Sequence, residues 1–178
     1  MIRVVTLDAF EEGDVDVVCK QLFQAFNIGA EFASKLPLPE EALLPDGSYD
    51  ADLLLTEAES VKLVADDKLL YLTHAKLKQP EGPVGRPPTY GFSQFGGQRA
   101  VSSTSLFPKK LEPGSDEYRK RLAKQAVHEI GRLWELHTCI DPKCSMHTSW
   151  SDAFETHVEP ILCNFCREKS EERIRMTT

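Results

Sequence analysis

The spacing of hydrophobic positions along the chain changes period several times, and each change marks an element. Residues 2–7, IRVVTL, are apolar and β-branched and read as a strand. Residues 14–27 place Val15, Val18, Cys19, Leu22, Phe23 and Phe26 three and four apart, which predicts an amphipathic helix. A second strand is expected over 28–34, ending before Pro37 and Pro39. A turn follows in PDGSYD, and then a helix from about Asp50 to Leu63, with Asp50 as its N-cap. KLLYLTH (68–74) reads as a strand entering the interior. Residues 75–92 hold four prolines and three glycines, so a long loop without regular elements is expected there. Residues 98–107 resume strand character, and their serines and threonines predict an edge strand. A long helix then starts near Ser115: Leu122, Ala126, Ile130, Leu133 and Leu136 repeat at helical spacing, and Asp116 and Glu117 suit its first turn. Irregular chain is expected as far as Pro160, followed by a short charged helix within CNFCREKSEERIRM (163–176).

Mixed strands and helices without internal repeat predict an α+β fold, a small mixed sheet packed on helices, in a single domain over 1–178. The chain is long enough to bury a core, and 41% hydrophobic with 28% charged residues is ordinary for a globular protein. A net charge of −7 removes the basic footprint that nucleic acid requires, so no nucleic-acid partner is expected. No segment has the apolar length of a membrane span or the pattern of a signal peptide, so neither a membrane partner nor export is expected and a cytoplasmic location follows. Five cysteines in that setting are thiols or metal ligands rather than disulfides.

Four of the five fall in the last 40 residues as Cys139-x4-Cys144-x18-Cys163-x2-Cys166. Two close pairs separated by a loop is the spacing of a tetrahedral four-thiolate zinc site: each pair offers two ligands from one turn, and the loop brings the pairs together. Pro142 and Pro160 supply tight turns beside the pairs. A zinc knuckle within 139–166 is therefore expected, with one structural zinc. The competing reading, four unconnected buried thiols, leaves the paired spacing unexplained. Cys19 stands alone on the apolar face of the first helix and reads as core.

The stretch 128–146, HEIGRLWELHTCIDPKCSM, opens with His128-Glu129, the start of the H-E-x-x-H zinc motif. HEIG, Cys139 just after the place of a third histidine, C-x4-C-x-M through Met146 and the closing C-x-x-C together resemble the archaemetzincin family of zinc metallopeptidases. GFSQFGGQRAVSST (91–104) and SYDADLLL (48–55) resemble that family's strand and helix start, so the likeness runs from about residue 2 to 166. It implies a metzincin-like fold, a methionine turn at Met146, and a catalytic zinc held by three histidines with Glu129 as general base. The first histidine is matched by His128. Arg132 stands at the second, Glu135 at the glycine and Thr138 at the third, with His137 one residue early. The interval from Met146 to Cys163 is also one residue shorter than the family usually shows.

Arginine offers no lone pair to a metal, so His128 becomes a vestigial zinc position and a second, catalytic zinc is not expected. The guanidinium of Arg132 is expected to take the metal's place as a cation paired with Glu129 across i,i+3. Without the glycine, the helix is expected to run on toward Leu136. The leading reading is a catalytically impaired metallopeptidase homologue that keeps its cleft for a peptide or protein ligand. An active zinc metallopeptidase is the alternative, with Glu129 catalytic and the ligand set rescued by His137, Glu135 or His147. A zinc-knuckle interaction module unrelated to peptides is a third. His74 and His157 have no partners at ligand spacing and read as surface or hydrogen-bonded histidines.

Overall fold

The sequence run most completely apolar lies at the centre of the sheet. Strand β4 (Lys68–Thr73) is buried along its whole length, with β1 (Ile2–Thr6) on one side and β8 (Arg99–Ser103) on the other. The computed structural model describes residues 1–58, 61, 63–147 and 159–177. With β2 (Ala30–Lys35) and β7 (Gly91–Ser93) at the edges, the order is β2-β1-β4-β8-β7. All neighbours are parallel except β7, which runs antiparallel to β8.

Alternate residues of each strand feed two cores, as the period of two requires. Ile2, Val4, Leu70, Leu72 and Ala100 point to one face, where they meet Val18 and Leu22 of α1 (Glu12–Phe26) and Leu122, Ala126 and Ile130 of α3 (Asp116–Leu133). Val5, Leu69, Tyr71 and Val101 point to the other, under Leu54 and Leu55 of α2 (Ala51–Glu57). Cys19 is half-buried against the first core. The side chain of Asp50 caps α2 by accepting from the Asp52 and Leu53 amides, and Ser115 caps α3 by accepting from that of Tyr118. An ion pair between the buried Asp14 and the half-buried Arg119, at 2.9 Å, ties α1 to α3.

Several expectations are corrected. Helix α2 ends at Glu57, with Ala58 as its C-cap, rather than running to Leu63; residues 59, 60 and 62 of that expectation lie outside the described ones. β8 is an interior strand, not an edge. Its Ser103 is buried and donates to the Ala75 carbonyl at 2.6 Å, so the hydroxyl that read as solvent-facing is satisfied inside. The proline-rich stretch is not wholly irregular. Leu77–Lys78 (β5) and Pro88–Thr89 (β6) join Tyr49–Asp50 (β3) in a three-stranded sheet, and β7 begins at Gly91. These pairings are two or three residues long, and Pro88 stands at the first residue of β6, a strand position that proline tolerates.

The C-terminal helix α4 (Asn164–Thr177) is present as expected. Both ring nitrogens of His74 are hydrogen-bonded, to Thr104 Oγ1 and the Ala9 carbonyl. Residues 148–158, His157 among them, of the stretch expected to be irregular before Pro160 lie outside the described residues. No helix is long and apolar enough to cross a membrane among the described residues.

Candidate metal centre

The turn after α3 brings Cys139 and Cys144 together, and the first turn of α4 brings Cys163 and Cys166. The four sulfur atoms lie within 4.8 Å of one another. Cys139 and Cys163 are 3.7 Å apart, close to the ~3.8 Å edge of a tetrahedron with zinc–sulfur bonds of ~2.3 Å. Backbone amides point at three of the sulfurs: Asp141 at Cys139, Met146 and Cys163 at Cys144, and Cys166 at Cys163, each at 3.4–3.5 Å. Such donors stabilise thiolates. All four are free thiols. Burial pushes the Cys144 thiol up to about 11 and raises Cys166 as well. At Cys163 burial also raises the thiol, but hydrogen bonds from the Cys166 amide and the neighbouring thiols outweigh it and leave the value lowered. The donor set and its spacing fit zinc, with protons displaced on binding.

The neighbouring face of α3 carries His128, Glu129 and Arg132. The His128 ring donates through Nδ1 to the Ser145 carbonyl at 2.8 Å, which leaves Nε2 as the acceptor nitrogen. Burial lowers its pKa to about 4, against the pull of that carbonyl, so the imidazole is neutral. Glu129 is buried against β7. Burial pushes its carboxyl up to about 7, while the Ser93 hydroxyl, the charge of Arg132 and the Gln125 amide favour the ionised form. Gln125 donates to Glu129 Oε1 at 2.9 Å. Gly91 is required at this contact, because a methyl group there would strike both Glu129 Oε1 and the Val101 carbonyl. Lys124, one turn before His128, is also buried; burial and Arg121 bring its pKa down to about 8, partly offset by Cys144.

Arg132 does not close the expected ion pair with Glu129. Its guanidinium lies over the ring of Phe95, 4.7 Å from the centroid, and the ring of His137 lies 4.9 Å from that of Phe95. A half-buried guanidinium on an aromatic face gains from the ring quadrupole and needs less desolvation than a buried pair. The charge still acts on Glu129 through space. His137 is exposed, and Met146 lies fully buried beneath Gly131, where a side chain would collide with its sulfur. Among the described residues, His128, Glu135, His137 and His147 form no second cluster of three ligands like that of the cysteines. A groove of about 640 Å³ lies beside the knuckle, between Leu136–Asp141 and α4.

The helix also ends where a glycine would end it. α3 stops at Leu133 and Glu135 takes a left-handed φ of 58°, contrary to the expected run toward Leu136. Leu136 donates to the Gly131 carbonyl at 3.0 Å and Glu135 to that of Arg132 at 3.1 Å, a Schellman closure. The turn geometry thus persists without the glycine. Burial of Leu136 and the hydrogen bond from the Gly96 amide to the Arg132 carbonyl hold it. Glu135 partly offsets its strain with an exposed ion pair to Arg173 at 2.9 Å, of the kind worth well under ~1 kcal/mol. Glu135→Gly is therefore expected to stabilise the protein by about 0.5–1 kcal/mol, measured by urea denaturation. A loss of stability would mean that the left-handed residue is unstrained.

The spacing of the cysteines pointed to the cluster that the four sulfurs form, whereas nothing in that spacing singled out Gln125, Gly91 and Phe95. Gln125 lies four residues before Glu129 on one helix, and that spacing alone points to it. Gly91 and Phe95 reach the site from a hairpin distant in sequence.

No family profile matches the chain. The archaemetzincin of Methanopyrus kandleri is 31% identical over 132 residues, which cover 74% of this chain and 71% of that protein. That of Archaeoglobus fulgidus is 37% identical over 79 residues, covering 44% and 45%. The crystal structure of the Methanopyrus kandleri protein superposes with a TM-score of 0.80 at 26% identity, covering 98% of this chain and 94% of that one. A zinc-dependent peptidase from Methanocorpusculum labreanum shares the fold, with a TM-score of 0.79 at 18% identity and coverage of 96% and 100%.

Proposed function

Because the chain belongs to the archaemetzincin family, we propose that it is a member that keeps one structural zinc, at Cys139, Cys144, Cys163 and Cys166, and has lost the catalytic one. The reading is carried by Arg132. One turn after His128, where the H-E-x-x-H pattern needs a second imidazole, stands a permanent cation stacked on Phe95. Without a metal, Glu129 has no bound water to activate, and neither Lewis acid nor hydroxide is supplied. On this reading the ligand is a peptide or protein that is bound and not cleaved, on the face where the family's substrate cleft lies. The free thiols suit a reducing, cytoplasmic setting.

Purified protein is expected to show no chelator-sensitive hydrolysis of casein or short peptides. Hydrolysis that is abolished both by chelator and by Glu129→Ala would establish the alternative, an active peptidase with a rearranged ligand set. The combined change of Arg132→His, Glu135→Gly and Thr138→His restores the three-histidine pattern and should raise the zinc content by one per chain. Its turn is already in place, since Glu135 has the backbone conformation that glycine adopts.

A further inference from the structure

His128 belongs to the helix that carries the catalytic motif of the family, yet its ring bonds the Ser145 carbonyl, in the segment that presents Cys144. We infer that His128 is a positioning residue of the cysteine site: through Ser145 it fixes the backbone that presents Cys144, so that metal binding at the cysteines and the setting of the His128 ring are coupled.

The segment Cys144–Ser145–Met146 is buried throughout and is shared between the two centres. Its knuckle side is defined by four contacts. The amides of Met146 and Cys163 point at Cys144 Sγ at 3.4 Å, Cys139 donates to the Met146 carbonyl at 2.9 Å, and Ser145 donates to the Ile161 carbonyl at 2.7 Å. The last of these ties the segment to the chain that leads into Cys163. On the helix side, Nδ1 of His128 donates to the Ser145 carbonyl at 2.8 Å, and Met146 packs so closely on Gly131 that no side chain fits between.

A carbonyl this deeply placed requires a donor, and His128 supplies it. That carbonyl shares its peptide plane with the Met146 amide, so turning it would swing the Met146 N–H away from Cys144 Sγ. Binding free energies between coupled sites are reciprocal. If metal at the cysteines holds Ser145 in place, the His128 hydrogen bond must in turn strengthen the hold on the metal.

The inference rests on the cysteines binding zinc, and the experiment separates the two. Zinc affinity is measured by competition with a colorimetric chelator in the wild type, His128→Leu and His128→Asn. Leucine removes the donor, whereas the asparagine amide can place an N–H near the position of Nδ1. His128→Leu is expected to weaken zinc binding by roughly 3- to 10-fold, the range of one neutral hydrogen bond, with His128→Asn recovering most of the loss. A second measurement needs no variant. In ¹⁵N-histidine-labelled wild type, the hydrogen-bonded Nδ1–H resonance of His128 is expected with zinc bound and to shift or vanish when zinc is stripped.

Equal zinc affinity in all three proteins, or a His128 resonance indifferent to zinc, overturns the coupling while leaving the zinc site standing. Weakening of both variants alike assigns the loss to packing and overturns the hydrogen-bonded role. A wild type that takes up no zinc overturns the zinc reading and the coupling with it.

Discussion

Cys163→Ser is expected to lower the zinc content from about one per chain to near zero and to destabilise the protein substantially. Serine keeps the shape of the side chain but does not supply a thiolate, and the remaining three sulfurs leave a coordination position to water. A metal bound by the folded state alone stabilises by ~4 kcal/mol when free zinc stands a thousandfold above its dissociation constant. For a chain of this length that corresponds to a fall in Tm of roughly 10 °C. The damage should be local in origin. The cysteines join the end of α3 to the start of α4, so α4 and the Cys144–Met146 segment lose their common anchor first, while the sheet core has its own burial. Elemental analysis and a thermal scan of wild type and variant test this together. A variant with full zinc and an unchanged Tm would remove the knuckle. Two zincs per wild-type chain would instead revive a catalytic site.

Glu129→Gln is expected to stabilise the protein at pH 8, by about 3 kcal/mol relative to the wild type, and to have no such effect near pH 4.5. Burial lifts the carboxyl from 4.5 to about 7 in the fold. The folded state therefore holds this proton more tightly than the unfolded chain. The resulting stabilisation is complete below 4.5 and is lost as pH rises through 7, where a buried charge has to be carried. Glutamine keeps the volume and removes that burden.

His128 works in the opposite sense. Its pKa falls from 6.5 to about 4, so its contribution is present above 6.5 and is lost as pH falls through 4. In the wild type the two slopes oppose each other between 4.5 and 6.5, and stability is nearly level there as far as this pair decides it. In Glu129→Gln the His128 slope stands alone, and acidification over that window should cost the variant stability that the wild type keeps. Urea denaturation from pH 4 to 8 measures both. Parallel profiles for the two proteins would mean that Glu129 is solvated in the fold.

The motif and the metal centre were legible because they are written in short intervals. Two turns each present two thiols, and a pair at x4 or x2 is a local matter that needs no knowledge of the sheet. Most elements were legible for the same reason: β1, β4, α1 and α3 each repeat their apolar residues with one period. The misreadings share a cause too. Ser102 and Ser103 read as an exposed edge, but β7 pairs outside them across the Gly96-Gly97 turn, and that pairing makes β8 interior. The short strands within the proline-rich stretch exist because partners from elsewhere accept them.

The archaemetzincin likeness, the pairing of four thiols at metal-ligand spacing and the replacement of a histidine by Arg132 follow from the sequence by itself, since each is a matter of residue type at a fixed interval. What the altered residues do was decided by the tertiary structure alone. Glu135 ends the helix as glycine would, because burial of Leu136 and the docked hairpin outweigh about 1 kcal/mol of backbone strain. Arg132 turns to Phe95 rather than Glu129, because the hairpin tip brings an aromatic face within reach and spares a buried ion pair its desolvation. His128 faces Ser145 because α3 packs on the knuckle across Gly131 and Met146. Local spacing specifies which groups lie on one turn; which group meets which across the core depends on contacts between segments far apart in the chain, and no interval in the sequence encodes those.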